Sequence, residues 1–200
     1  MNHFKRLLTL LIPSVFLLFS HSVGFAQQLR PSTTSIKDTI IWKPGYTLKK
    51  EDYKGTSRDN IPVFSSIGVF MYGKERNMNP VMVVQCIFIK GSSFMTVNHP
   101  NILKHEQANF DLCEIYARRL RKKIATVDPR KSKDLHKVMN DLYMKTNMDY
   151  AKEREAFEKE TQLGMDQLKQ KLWLDKINMD LKSLSAYANA DVELQLNFVH

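Results

Sequence analysis

Apolar residues fall into two rhythms along the chain. Up to Val97 they come as short runs between turn residues: Thr39-Ile40-Ile41-Trp42 closed by Pro44-Gly45, then Val63 to Tyr72, Val81 to Ile89, and Ser92 to Val97. Their β-branched and aromatic content predicts strands, and the charged segment Gly73 to Pro80 predicts the turn of an antiparallel hairpin. From Lys104 the period changes to that of a helix. One long amphipathic helix is expected over 104–124, entered through Asn98-His99-Pro100 with Asn as cap, and broken at Val127-Asp128-Pro129. Further helices are expected from about Ser132 or Lys133 to Asn147, from Tyr150 to Gln162 with a stop at Gly164, and from Met165 to Tyr187. The last would carry Leu168, Leu172, Trp173, Ile177, Leu181 and Leu184 on one stripe. The tail alternates from Val192 to Val199, as an edge strand or a loose end. The fold class predicted is α+β: a small antiparallel sheet, a long helix, then a helical C-terminal region.

The first residues follow neither rhythm. Lys5 and Arg6 precede an apolar run from Leu7 to Phe19, and Gly24-Phe25-Ala26 offers small residues for a signal peptidase. Residues 1–26 are therefore expected to be a cleaved signal peptide, 27–38 a loose polar leader, 39–189 the folded domain and 190–200 a tail. The expected location is periplasmic or extracellular, without a membrane span after cleavage. Removing Lys5 and Arg6 leaves 28 basic against 21 acidic residues, a net charge of +7. That excess points to an envelope or extracellular partner and not to nucleic acid. In an oxidising compartment Cys86 and Cys113 either pair or remain as two thiols, and the sequence leaves both open.

The chemistry concentrates in the long helix. His105-Glu106-Gln107-Ala108-Asn109 has the spacing of a zinc-peptidase helix, in which two imidazoles one turn apart share a Zn²⁺ and the Glu activates its water. Asn109 stands where the second imidazole belongs, and a neutral amide oxygen is a poor zinc donor. Other donors on this helix are badly placed. Glu114 lies about 180° around from His105, and Asp111 also points away, both expected to pair with nearby Lys and Arg. Cys113 shares the face but sits about 12 Å further along the axis. His99 reads as an entry-loop residue, while His136 and His200 are unplaced. Arg118, Arg119, Arg121, Lys122, Lys123, Arg130, Lys131 and Lys133 read as a solvated basic face complementing the helix dipole.

Three blocks in order resemble a bacterial family of predicted secreted zinc-dependent proteases, classed as a domain of unknown function. Trp42, Leu48, Asp52, Tyr53 and Gly55 are similar to its early Trp/Leu/Asp-Phe-x-Gly block, and Lys104 to Arg121 to its Lys-His-Glu-Gln-x-His-Phe-Asp helix. Glu160-Thr161-Gln162-Leu163-Gly164 is similar to its Glu-Thr-x-His-Gly block, and Gln170, Trp173 and Ile177 to its Gln-x-x-Trp-x-x-x-Ile positions. The resemblance implies a zinc site of two helix histidines and the later His, with the helix Glu as general base. Only His105 and Glu106 carry over, since Asn109 and Leu163 occupy the other two positions. The expectation is an exported, catalytically inactive homologue without a cofactor, acting as a binding or structural module. The alternative is a divergent metallohydrolase that uses His105, Glu106 and a non-standard zinc site.

Overall fold

The computed structural model describes residues 38–57, 61–77 and 79–194. The expected signal segment, the leader apart from Asp38, and residues 195–200 of the tail lie outside the described residues.

Strands β1 (Thr39–Ile41), β2 (Val63–Phe64), β3 (Ile67–Arg76), β4 (Asn79–Ile89) and β5 (Phe94–Met95) precede α1 (Pro100–Ile124), α2 (Leu135–Thr161) and α3 (Gln167–Ser183), and β6 (Asp191–Glu193) comes last. The small sheet and three helices make an α+β fold. β3 and β4 pair antiparallel from Ile67 opposite Phe88 to Arg76 opposite Asn79. Most of the segment expected as a turn is thus strand. β3 ends at Arg76 and β4 begins at Asn79, and Asn77 takes the left-handed φ of 52° that asparagine tolerates.

The other edge of β4 is closed from both ends of the domain. β1 pairs with Ile87 to Ile89 and β6 with Val81 to Val83. The start of the tail is therefore a strand, and Val192 and Leu194 belong to the core. β2 and β5 form a separate two-stranded sheet with Phe64 stacked on Phe94, so the run from Val63 to Tyr72 is split, only Ile67 to Tyr72 joining the main sheet in β3, and the strand expected at 92–97 shrinks to Phe94–Met95 outside it. Ser65 and Ser66 cause the break: Ile67 N–H turns back to Ser65 O, and Ser66 N–H donates to Ser93 Oγ.

α1 is the central element, packed on β3 and β4 and also on α2 and α3. Val84, Cys86 and Phe88 alternate along β4 to meet Phe110, Cys113 and Ala117 of α1 within one apolar core. Its N-cap is His99 and not Asn98, with His99 Nδ1 accepting from Asn101 N–H. Cys86 and Cys113 are buried and free, so the pair is two thiols. Burial and the neighbouring Cys113 push the Cys86 thiol well above its ordinary range, which suppresses the reactive thiolate.

Two further expectations are corrected. The two helices expected over 133–162 are one, because no residue between 147 and 150 breaks the pattern. Asn147 Nδ2 donates back to Tyr143 O, so the side chain that competes with the backbone is tied to the helix. On α3, Trp173 and Ile177 are buried, but Leu168 and Leu172 are 70% and 55% exposed on the opposite face. Among the described residues no helix is long and apolar enough to cross a membrane.

Candidate functional site

The three sequence blocks meet around α1. From the first block, Trp42 Nε1–H donates to Asp111 Oδ1 at 2.7 Å, and Leu48 N–H donates to Gln107 Oε1 at 2.8 Å. Asp52 accepts from Tyr46 Oη and Lys49 N–H and pairs with Lys90. Tyr53 Oη lies 3.0 Å from Ser65 Oγ, and a Cβ on Gly55 would meet two carbonyl oxygens, of Ser93 and Gly91, at 2.8 and 2.9 Å. From the third block, Thr161 and Gly164 lie against His105, while Trp173 Nε1–H reaches Glu160 Oε2 at 2.9 Å. Asp111 is thus held by Trp42 and Gln107, not by the Lys and Arg expected for it.

His105 and Glu106 are both buried. The His105 ring stacks on Phe157 with centroids 4.3 Å apart and planes 8° from parallel. Thr161 Oγ1 donates its proton to Phe157 O at 2.7 Å, so it accepts from His105 Nδ1–H at 3.3 Å. That fixes the tautomer and leaves the Nε2 lone pair buried without a partner. Burial, with the positive charge of Arg154, pulls the His105 pKa down to about 4. Burial raises the Glu106 carboxyl above its ordinary range, opposed by a bond to Ser65 and by Arg154.

Position 109 is closed. Asn109 Oδ1 accepts from Tyr150 Oη at 2.9 Å, while its Nδ2 has no partner. Burial holds the Tyr150 hydroxyl well above the usual phenol range, so it remains a donor. Leu163 is 45% exposed at a left-handed φ of 54°, in the turn after α2. Arg154 binds Glu158 Oε1 at 2.7 Å, and its charge acts on both His105 and Glu106. Tyr150, Phe157 and Thr161 recur at seven and four residues, one face of α2 laid over the site.

These residues do not fit a catalytic zinc. The one oxygen at position 109 able to approach a cation is used by Tyr150, and Leu163 has no donor atom. His99 is exposed and caps α1, His136 is exposed on α2, and His200 lies outside the described residues. Cys113 is in the core beside Cys86, and Glu114 binds Arg118 and Arg121. Among the described residues no group of three or more His, Cys, Asp or Glu could hold a metal ion. The basic cluster is a solvated face only in part, with Lys122, Arg130, Lys131 and Lys133 exposed. Arg118 and Arg121 are buried, Arg119 pairs with Glu153 and Asp180, and Arg130 and Lys131 pair with Asp128.

Comparison of the chain with protein-family models, curated proteins and solved structures finds no match.

The buried histidine makes a pH prediction. An unfolded His105 takes up a proton near its ordinary 6.5, whereas the folded one does so near 4, so between these values the unfolded chain binds more protons. Its contribution is present above about pH 6.5 and is lost as pH falls toward 4, by about 3 kcal/mol in total. Glu106 has the opposite sign, because its raised pKa makes protonation favour the folded state as pH falls. Urea unfolding of the protein and of His105→Gln at pH 7 and pH 5 isolates the histidine part. The variant should lose less stability on acidification.

Proposed function

We propose that the chain is an exported, non-catalytic protein on a zinc-peptidase-like scaffold, acting as a binding module. The observation that carries this reading is the Tyr150 hydroxyl on Asn109 Oδ1, which closes the second ligand position from within the fold. Arg154 supports it by supplying Glu106 with the fixed positive charge that a metal supplies in a zinc peptidase. The meeting of all three sequence blocks on α1 supports the scaffold.

One observation favours a divergent metallohydrolase. His105 Nε2 keeps a buried lone pair without a partner, which a zinc ligand would need. That reading needs two more donors.

Elemental analysis of the purified protein after zinc loading and gel filtration separates the two. The non-catalytic reading expects well under one zinc per chain, unchanged in His105→Ala. One zinc per chain, lost in that variant, would overturn it. A second variant tests the scaffold: Asn109→His with Leu163→His restores the family's ligand set and is expected to gain stoichiometric zinc. Failure of a folded double variant to do so counts against the zinc-peptidase-like scaffold.

A further inference from the structure

A cavity of about 310 Å³ lies between the beginnings of α1 and α3, lined by Asn101, Lys104, Gln167, Gln170 and Lys171. Its walls carry three carboxamides and two ammonium groups, and no carboxylate. Lys104 forms no ion pair among the described residues. Lys171 reaches Asp175 at 3.1 Å, but both side chains are well exposed and such a pair is worth little.

Gln170 distinguishes this cavity from a patch of surface lysines. It is only 4% exposed, and its Oε1 is enclosed with no hydrogen-bond partner. Oε1 lies 2.8 Å from where a Cβ on Gly164 would be, so the oxygen end of the amide is pressed against the turn beside His105. Gln170 lines the cavity, and Nε2, the donor end of the same planar group, forms no hydrogen bond among the described residues. The buried Gln170 amide and two cationic side chains therefore border one small space. Gln167 and Leu168, as the first two residues of α3, add main-chain N–H groups that no earlier helical carbonyl can satisfy. The α3 dipole adds little, because Asp166 already caps that end through Lys169 N–H.

We infer that this cavity binds the oxyanion of a small organic ligand, a carboxylate or a phosphate monoester, held between Lys104 and Lys171 with Gln170 Nε2–H donating to it. A volume near 310 Å³ suits one or two residues of a peptide end, or one small phosphate ester. The inference rests on the reading of the chain as a binding module and names the chemistry of what is bound.

Calorimetric titration of the purified protein at low ionic strength and pH 7 tests it. The probes are N-acetyl-dialanine and its C-terminal amide, and glycerol phosphate and glycerol. One of the two anions is expected to saturate a single site with Kd below about 1 mM, and its uncharged partner to bind at least tenfold more weakly. The preferred anion identifies the source. Lys104→Gln with Lys171→Gln, both at the surface, should weaken binding at least tenfold. In ¹⁵N spectra the Gln170 side-chain amide should shift on saturation. No saturable binding by either anion, an affinity indifferent to the double substitution, or an unmoved Gln170 amide would overturn the inference. Mass spectrometry of the recovered N-acetyl-dialanine keeps the two readings apart. Hydrolysis would overturn the non-catalytic assignment and leave the pocket standing, whereas intact peptide without binding would do the reverse.

Discussion

Glu114→Ala is expected to destabilise the protein by about 3–5 kcal/mol, enough to unfold much of a domain whose total stability is on the order of 5–15 kcal/mol. Glu114 is the one carboxylate between two buried guanidinium groups. Its Oε1 accepts from Arg118 Nε at 2.9 Å and from Arg121 Nη1 at 2.8 Å. The two arginines spend their remaining donors on main chain. Arg118 reaches Leu181 O at the end of α3, while Arg121 bonds Val84 O twice and Tyr187 O once. Val84 O needs that donor because of the sheet's topology. On this edge of β4, Cys86 O takes Trp42 N–H beside β1 and Val84 N–H goes to Ala190 O beside β6, so Val84 O falls at the junction of two short strands. Removing the carboxylate leaves two cations facing each other out of water and frees the arginines from the geometry that serves the sheet edge and the end of α3. Urea denaturation followed by far-UV circular dichroism should show a large fall in midpoint, and Glu114→Gln should lose most of the same stability, because the charge matters more than the shape. Lys137→Ala, which breaks an exposed pair on α2, should change stability by under about 0.5 kcal/mol. Equal effects for the two sites would refute the assignment of the network to the core.

This network also marks where sequence reasoning stopped. α1 was legible because its apolar period is regular and the His105-Glu106 pair sits at a recognisable spacing. The rotation that placed Glu114 away from His105 held in the structure. The destination of that opposite face was not legible: a run of Arg and Lys after a long helix ordinarily faces water, and the demand for buried cations comes from Val84 O, an atom of a strand distant in sequence. A second miss had a readable signal. Tyr150, Phe157 and Thr161, which close over His105 and Asn109, already share a face, at spacings of seven and four, within the helix expected from Tyr150 to Gln162. What that face covers was not legible, because His105 and Asn109 lie more than forty residues away in sequence. The tail alternation at Val192 was visible, but its partner was not, because β6 pairs with a half of β4 left free only by the shortness of β1.

Gly164→Ala is the second substitution with a large expected effect, about 2–4 kcal/mol, and it acts on the candidate site directly. Gly164 has φ +90°, a conformation that costs an alanine strain before any contact is counted. Its added Cβ would lie 2.9 Å from Asn101 O, 2.9 Å from His105 Cβ and 2.8 Å from Gln170 Oε1. The last is the end of a side chain, but the first is main chain in the first turn of α1 and the second is fixed by its own helix. Neither α1 nor the turn after α2 can move away without loosening the stack of His105 on Phe157. Leu163→Gly next door is the control. Leu163 is exposed and left-handed, so glycine relieves strain at the cost of chain entropy, and the net change should stay within about 1 kcal/mol. Thermal unfolding of both variants measures the difference. If the Gly164 variant retains wild-type stability, the turn does not press on His105 as the geometry states. If it loses stability while the Leu163 variant does not, the close approach of the turn to the start of α1 is what fixes both the buried imidazole and the Gln170 amide at the cavity wall.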